Sequence, residues 1–160
     1  MDTTLIRAED KPQLLAPLFT AYSEMLYNVD EGMRQCLANQ DYDEELSHLV
    51  EKYSPPSGSI YVVMADGEVA GMGALLRLEP DCGELKRIFI YPQFRGRGIG
   101  DILMDRLLSD AVSYGYHHIK LDTFPAMIPA IGLYRKLGFY EIPKYNTNPL
   151  ERAIFFQKDL

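Results

Sequence analysis

Apolar residues near the amino terminus recur at intervals of three and four, which is the spacing of a helix face that packs on a core. These positions are Leu14, Leu15, Leu18, Phe19, Tyr22 and Leu26. They predict a helix that Asp10 caps, with Pro12 in its first turn, and that continues to about Asn28. Residues 4–7 have the composition of a short strand. The chain is therefore expected to begin with a strand and an amphipathic helix.

A second helix is predicted from Asp41 to a point near Tyr53. Asp41 and Glu44 have the spacing of a capping box, in which two side chains satisfy backbone N–H groups at the start of a helix. Asp43 and Glu45 complete an acidic set in its first turns. This set could face a cationic amine, although a run of charges on a helix is more often a solvated face. Both interpretations are open at the level of the sequence.

Three runs in the middle of the chain, residues 60–65, 69–78 and 84–91, have the composition of strands. The dipeptide Asp66-Gly67 joins the first two and is a strong signal for a tight hairpin turn. Pro92 ends the third run, because proline cannot donate a hydrogen bond to a neighbouring strand. A hairpin followed by a third strand is expected here.

From residue 99 onward, helical and strand patterns alternate. The predicted elements are a helix from Ile99 that ends at Gly115, a strand over 119–124, a helix over 129–137 that Gly138 closes, and strands over 139–142 and 153–157. This order indicates an α+β (mixed α/β) fold with helices on both faces of a sheet. With 160 residues, 47% of them hydrophobic, one domain over 1–160 with a sizeable core is expected.

Composition argues against several functions. The net charge of −7 is unfavourable for a nucleic-acid surface. No apolar run approaches the roughly 20 residues of a membrane span. The chain starts without the basic and apolar regions of a signal peptide, so a cytoplasmic protein is predicted. Cys36 and Cys82 have no Cys or His nearby at metal-ligand spacing, and neither a disulfide framework nor a metal site is expected.

The segment between the third strand and the helix from Ile99 is rich in glycine. It reads Arg95-Gly96-Arg97-Gly98-Ile99-Gly100. Alternate glycines let backbone N–H groups converge on a ligand without Cβ atoms in the way, and the helix N-terminus adds partial positive charge. The basic residues between positions 85 and 100, with no acid among them, are Lys86, Arg87, Arg95 and Arg97. One locally held anion, a diphosphate, would explain them; a tight turn with solvated arginines is the plainer alternative.

Two other phosphate-binding motifs fit less well. A Walker loop continues with Gly-Lys-Ser/Thr, whereas Gly100 is followed by Asp101 and Ile102. A Rossmann fingerprint needs its third glycine at position 101, although Asp122 follows at about the 20-residue distance of a ribose-binding acid. A Rossmann-type dinucleotide enzyme is therefore the weaker enzyme alternative.

At this loop the sequence resembles the GNAT acetyltransferase superfamily, whose acyl-CoA loop has the pattern Arg/Gln-x-x-Gly-x-Gly/Ala. The residues at the fixed positions are Arg95, Gly98 and Gly100. Residues 84–92 resemble the family's central strand, and residues 131–139 resemble its later helix and turn. Position 127 departs from the pattern, since many members have Asn where this chain has Met127. Met127 has no amide group to offer the cofactor arm at this position.

The resemblance implies a GNAT-like fold, whose central sheet is mixed and mostly antiparallel, and acetyl-CoA as the cosubstrate, without a metal. The loop from Arg95 to Gly100 would hold the cofactor, and backbone N–H groups near Phe89 and Ile90 would polarise the acetyl carbonyl. The acetyl group would pass to a primary amine of a small molecule, an amino acid or a peptide by direct attack on the thioester. Since the same loop would permit a non-catalytic acyl-CoA sensor, that is the second functional hypothesis.

The resemblance also implies two catalytic residues. Tyr134 would protonate the departing thiolate, although a tyrosine that shares a helix face with Ile131 and Leu137 is often a core residue. Glu84, at the start of the central strand, would take the amine proton directly or through water; an exposed strand-end charge is the alternative.

No sequence pattern identifies the residues of the acceptor site. Tyr22 and Tyr145 are the candidates for substrate contact, Tyr145 because it lies in a long loop between the last strands. Members of the family commonly dimerise, so the resemblance implies a homodimer as one option.

Overall fold

The computed structural model describes residues 2–39 and 42–160 of the chain, which form both strands and helices. The strands are β1 (Thr3–Arg7), β2 (Ser59–Ala65), β3 (Glu68–Glu79), β4 (Cys82–Ile90), β5 (His118–Thr123), β6 (Tyr140–Ile142) and β7 (Ile154–Asp159). The helices are α1 (Leu15–Val29), α2 (Met33–Asn39), α3 (Tyr42–Ser47), α4 (Leu49–Lys52), α5 (Ile99–Ser113) and α6 (Ile128–Lys136). Short 3-10 helices cover Ala8–Asp10, Pro12–Leu14 and Pro92–Phe94.

The strands form one sheet in the order β1-β2-β3-β4-β5-β7-β6. Neighbouring strands run antiparallel except β4 and β5, which are parallel and are connected through α5. The registered pairs of β4 and β5 extend only from Cys82 opposite His118 to Glu84 opposite Lys120. Beyond Glu84 the two strands diverge, and a wedge opens in the middle of the sheet.

The sheet separates two hydrophobic cores, and β2 contributes to both. Tyr61 and Val63 point to the face that packs against α5, while Ile60 and Val62 point to the face that packs against α1. The core residues that these two helices supply include Leu103, Leu107 and Ala111 from α5 and Leu18, Phe19 and Leu26 from α1. Helices therefore cover both faces, and the predicted α+β fold with a mixed, mostly antiparallel sheet is confirmed.

The strands agree closely with the predicted runs. Each predicted strand lies within two residues of an observed strand at both ends. At the hairpin between β2 and β3, Asp66 and Gly67 have φ values of 50° and 82°. Two successive positive φ values are the requirement of a type I′ turn, which explains why the dipeptide predicts the hairpin so well.

The prediction for the first helix is wrong at its start. α1 begins at Leu15, and Asp10 lies in a 3-10 helix instead of at a helix cap. Lys11 has φ −142° and ψ 65°, outside the helical region. The ring of Pro12 disfavours the helical conformation at the residue before it, so one continuous helix does not form from Asp10 onward.

The second predicted helix is divided, and a further helix precedes it. α3 and α4 flank His48, whose φ of −134° and ψ of 32° are not helical. The predicted cap at Asp41 lies outside the described residues. The sequence did not predict α2, whose buried face consists of Met33, Cys36 and Leu37. Three apolar positions are too short a run to distinguish a helix from a loop.

Candidate active site

The glycine-rich loop leads from the end of β4 into α5. Gly96 and Gly98 have φ values of 76° and 78°, in the left-handed region that favours glycine. Gly98 precedes the first residue of α5, and its carbonyl accepts the first helical hydrogen bond, from Ile102 N at 3.3 Å. The N–H groups just before Ile102 therefore point beyond the end of the helix. They present backbone donors and the positive end of a helix dipole to an anion.

The third glycine of the loop has a different role. A Cβ at Gly100 would lie 3.1 Å from Leu133 Cδ2 in α6, whereas a Cβ at Gly96 or Gly98 would meet no described heavy atom within 4 Å. Gly100 thus allows α5 and α6 to pack closely, while Gly96 and Gly98 shape the loop backbone.

Only some of the basic residues around the loop flank it. Arg95 and Arg97 are exposed at its rim, and Arg95 Nε donates a hydrogen bond to Ile90 O at 3.0 Å. Lys86 and Arg87 line a cavity on the other side of the wedge, where each has an acidic partner. The prediction that one anion explains all four basic residues is therefore wrong.

A groove of about 340 Å³ runs from the loop along the end of β4. Its floor includes Phe89 and Ile90, and its walls come from the loop, from α6 and from the carboxyl end of α1. Met127 lies in one wall at the position where a polar Asn would be usual for the resemblance. An apolar groove that ends on backbone donors suits a ligand with a diphosphate at one end and a long uncharged arm.

The inner end of the groove reaches the wedge between β4 and β5. Arg87 has a φ of 59°, and the register between β3 and β4 shifts so that Arg87 and Ile88 both lie opposite Gly73. This is a β-bulge, which bends the strand locally. Because N–H groups of a strand point alternately to its two neighbours, those of β4 that face the diverging β5 are directed into the wedge. Phe89 and Ile90 lie at this place.

A smaller inner cavity, of about 70 Å³, continues the groove between the wedge and the α1–α2 layer. Ile88, Met127 and Ala130 line both the groove and the inner cavity. Tyr134 of α6 and Tyr22 of α1 also line the inner cavity. The predicted acid and one predicted substrate residue therefore share a wall of the same space.

The hydroxyl of Tyr134 is available for chemistry. The side chain is 6% exposed, and its ring packs on Phe139 and Phe156 with centroid distances of 5.7 and 6.4 Å. Its hydroxyl has no hydrogen-bond partner among the described residues. Every side-chain polar atom of those residues that is fully buried does have a hydrogen-bond partner, so the Tyr134 hydroxyl is not fully buried and is accessible from the cavity. Burial raises the pKa of the Tyr134 phenol, and nearby Tyr22 and Asp122 raise it further. The phenol is thus protonated at neutral pH.

Glu84 is buried, so the alternative of an exposed strand-end charge is wrong. The residue is 7% exposed, Tyr145 OH donates to Oε2 at 2.5 Å, and Lys86 Nζ lies 3.6 Å from Oε1. Burial and the Glu84 carboxylate raise the pKa of Tyr145, which keeps this phenol a donor. Glu84 lines an outer cavity of about 180 Å³. Tyr145 lines neither the groove nor either cavity, and it orients Glu84 through this hydrogen bond.

Asp122 stands where the inner and outer cavities meet. The residues that line both are Cys36, Lys86, Asp122 and Asn148. Asp122 Oδ2 accepts hydrogen bonds from Asn146 Nδ2 at 2.8 Å and from Asn148 Nδ2 at 3.1 Å. The loop after β6 is therefore tied to β5 through this carboxylate. The groove is therefore adjacent to the inner cavity, and the inner cavity is adjacent to the outer cavity.

The sequence profile of the Acetyltransferase (GNAT) family matches residues 23–139, a segment that contains the loop, the wedge and Tyr134. The chain belongs to the GNAT acetyltransferase family. This settles the choice among phosphate-binding folds. A Rossmann-type enzyme would need a largely parallel, doubly wound sheet, and the Rossmann alternative is wrong.

Individual relatives of this acetyltransferase span most of its length. It is 30% identical over 127 residues to an uncharacterized N-acetyltransferase of Schizosaccharomyces pombe, which covers 78% of this chain and 77% of that one. It is 33% identical over 151 residues to the IAA acetyltransferase of Azospirillum brasilense, covering 91% and 94%. The fold is similar, with a TM-score of 0.75 over 100% of both chains at 17% identity, to the PaiA N-acetyltransferase of Thermoplasma acidophilum in complex with coenzyme A. The chain is an acyl-CoA N-acyltransferase.

The sequence did not reveal a buried ion-pair network behind the inner cavity of the acetyltransferase. Arg87 Nε and Nη2 donate to the Glu45 carboxylate at 2.7 and 3.2 Å, and both side chains are almost fully buried. Lys52 Nζ and Tyr53 OH donate to the same carboxylate at 2.5 and 2.6 Å. Burial would raise the pKa of Glu45, but Arg87 and Lys52 outweigh it and lower the pKa. The bulge of β4 is thereby fastened to α3.

This network corrects the interpretation of the acidic set on the second predicted helix. Glu45 does not face a substrate, because two cations already hold its carboxylate. Glu44 is exposed beside His48, with Oε1 3.4 Å from Nε2. Asp41 and the side chain of Asp43 lie outside the described residues. No signal in the sequence pairs Glu45 with Arg87, since the two residues are 42 positions apart.

Two further observations concern metals and membranes. Within residues 2–39 and 42–160, no three His, Cys, Asp or Glu side chains are grouped so that they could hold a metal ion. None of the described helices is long and apolar enough to cross a membrane.

Proposed function

We propose that this enzyme moves the acetyl group of acetyl-CoA to a primary amine of a small molecule, an amino acid or a peptide. The amine attacks the thioester directly. One observation carries the proposal: the groove from the glycine-rich loop adjoins the inner cavity, which Tyr134 lines, and the inner cavity adjoins the outer cavity, which Glu84 and Asp122 line. The Tyr134 hydroxyl has no hydrogen-bond partner among the described residues. The cofactor approaches the wedge from the groove, and the acceptor approaches it from the outer cavity.

The cofactor end rests on backbone groups. The donors of the loop, Arg95-Gly96-Arg97-Gly98-Ile99-Gly100, hold the diphosphate of the cofactor, and its arginines add positive charge at the rim. The apolar groove takes the uncharged arm, with Met127 in van der Waals contact in place of a polar one. Backbone N–H groups near Phe89 and Ile90 stabilise the oxyanion that forms on the acetyl carbonyl.

The acceptor end supplies the proton transfers. Glu84 receives a proton from the ammonium through water, because it lines the outer cavity and not the inner cavity of Tyr134. The nitrogen lone pair forms the N–C bond, the C–S bond breaks, and Tyr134 protonates the sulfur. Of the two protons that the ammonium loses overall, one balances the proton gained by sulfur and one is released to solvent. Tyr22 forms part of the acceptor wall, and Tyr145 acts through Glu84.

Thiol release in the presence of defined amines tests this proposal. The enzyme is incubated with acetyl-CoA and, separately, the twenty amino acids, ethanolamine, putrescine and a tripeptide with a free amino terminus. At least one amine is expected to accelerate release of free CoA and to appear as its N-acetyl product by mass spectrometry. Binding of CoA without thiol release above background for any amine would favour the sensor hypothesis instead.

A ligand melting series precedes the assay. CoA is expected to raise the melting temperature, because it binds the folded state, while NAD is expected to leave it unchanged. Sedimentation equilibrium of the same preparation tests the homodimer. Residues 1–160 then act as one catalytic domain, in the cytoplasm.

A further inference from the structure

We propose that Asp122 binds the ammonium group of the acceptor, and that the acceptor is therefore an amine that is cationic at neutral pH. This inference rests on the proposed function and deepens it. It gives the carboxylates of the acceptor end separate tasks: Asp122 positions the amine beside the thioester, and Glu84 receives its proton through water.

Of the two carboxylates that line the cavities, Asp122 has no cationic partner among the described residues. The charged residues that line them are Glu84, Lys86, Arg87 and Asp122. Lys86 lies against Glu84, and Arg87 is paired with Glu45. Asp122, in contrast, makes no ion pair with any described residue; its partners are neutral amides. A cation between the cavities would therefore meet a carboxylate oxygen that no described cation contacts, which favours its binding.

The orientation of the Asp122 carboxylate is fixed while one of its oxygens stays available. Oδ2 accepts both amide donors, from Asn146 and Asn148. These amides are themselves held, because Asn146 Oδ1 accepts from Asn148 N at 3.0 Å and Asn148 Oδ1 accepts from Leu150 N at 2.9 Å. Oδ1 of Asp122 has no hydrogen-bond partner within the described chain. Because all fully buried side-chain polar atoms of that part have partners, Oδ1 is not fully buried. An ammonium group can bind at Oδ1.

The position of Asp122 matches the chemistry that has to follow. Asp122 lines the inner cavity together with Tyr134, and its charge contributes to the raised pKa of the Tyr134 phenol. Glu84 lines only the outer cavity, and both of its oxygens face cationic or hydroxyl donors. An amine that binds Asp122 is therefore closer to Tyr134, which protonates the sulfur, than an amine that binds Glu84 would be.

Steady-state kinetics of Asp122→Asn test the inference, with the amine of the panel above that has the highest kcat/KM. Asparagine has the same size as aspartate and keeps one oxygen that can accept hydrogen bonds, but it has no negative charge. The KM for this amine is expected to rise roughly 10- to 100-fold, as for loss of a charged hydrogen bond, while kcat changes less than about 3-fold. The KM for acetyl-CoA is expected to stay within about 2-fold, because Asp122 does not line the cofactor groove.

Asp105→Asn is the matched control. It makes the same change at an exposed position of α5 that lines neither the groove nor either cavity, so the amine KM is expected to stay within about 2-fold. If it reproduces the effect of Asp122→Asn, loss of one negative charge anywhere on the protein is sufficient and the inference is overturned. An unchanged amine KM in Asp122→Asn also overturns it. Wild-type enzyme that acetylates no amine at all would instead contradict the proposed function itself.

A second variant covers the case in which Asp122→Asn does not fold. Asp122→Glu keeps the charge but moves the carboxylate by about 1.5 Å, one C–C bond. The amine KM is expected to rise at least 3-fold with an unchanged acetyl-CoA KM, since charge-assisted hydrogen bonds depend on distance. An amine KM equal to that of the wild type would overturn the inference.

Discussion

The cofactor end of the site consists largely of backbone groups from one stretch of chain, whereas the acceptor end consists of side chains that meet from distant segments. Gly96 and Gly98 shape the first through their own φ values. In the second, Arg87 reaches Glu45 across 42 positions and Tyr145 reaches Glu84 across 61. A backbone site depends on local conformation, while a side-chain network depends on long-range pairs. Single substitutions should therefore disturb the two ends in different ways.

The largest effect is expected at Glu45, at the acceptor end. Glu45→Ala leaves Arg87 buried without its carboxylate and removes the partner of Lys52 and Tyr53. Breaking a buried ion pair typically costs about 3–5 kcal/mol, because the remaining charge is uncompensated. The free energy of unfolding from urea titration should fall by this amount. Glu44→Ala, at an exposed neighbouring position, should change it by no more than about 0.5 kcal/mol.

Acid titration gives an independent check on the same pair. Although burial would raise the pKa of Glu45, the two cations lower it below the ordinary value of 4.5. In the unfolded chain the carboxyl has its ordinary pKa, so the contribution is complete above that value and is lost as pH falls through the lower pKa of the folded state. The wild type should lose stability in this range, and Glu45→Ala should lose less. Equal acid sensitivity would show that Glu45 is not the group responsible.

Tyr134→Phe is expected to have the next largest effect, on turnover instead of stability. The hydroxyl has no partner within the described residues, so its removal breaks no hydrogen bond of the fold, while loss of a general acid costs at least about 100-fold in rate. The kcat for acetyl transfer should fall by this factor, and CoA should still raise the melting temperature. Tyr140→Phe, at an exposed tyrosine of β6, is the control. Unchanged kcat in Tyr134→Phe would remove the acid role.

The same contrast explains how much the sequence could predict. Turn and loop conformations depend on residue type at a few adjacent positions, so Asp66-Gly67 predicts the hairpin and the Gly96–Gly98 spacing predicts the loop. The resemblance adds Tyr134 and Glu84, but their surroundings are tertiary. Nothing local pairs Arg87 with Glu45, and no local pattern places Asp122 between two cavities. Patterning alone therefore predicts the fold and the cofactor end far better than the acceptor end.

A smaller effect is expected at the cofactor end, from Gly98→Ala. Alanine is strained by about 1–2 kcal/mol at a φ of 78°, which corresponds to about 10-fold weaker CoA binding if relaxation of the loop turns its N–H groups away. Isothermal titration with CoA measures the change. Gly132→Ala in α6 is the matched control, because its Cβ would meet no described atom within 4 Å and alanine favours a helix. Equal CoA affinity in both variants would mean that the left-handed conformation of Gly98 does not contribute to binding.

The smallest effect concerns the cysteines and bears on how acetyl transfer is measured. Burial raises the pKa of the Cys82 thiol to about 11, and the residue is 1% exposed. At pH 8 about one molecule in a thousand then carries the thiolate, against roughly a quarter for a free cysteine of pKa 8.5. Folded enzyme treated with iodoacetamide at pH 8 should therefore remain unmodified at Cys82 by mass spectrometry, while protein in guanidinium should be fully modified. Modification of the folded enzyme at the rate of a free thiol would contradict the burial of Cys82, and a thiol reagent would then report this cysteine together with the CoA released by acetyl transfer.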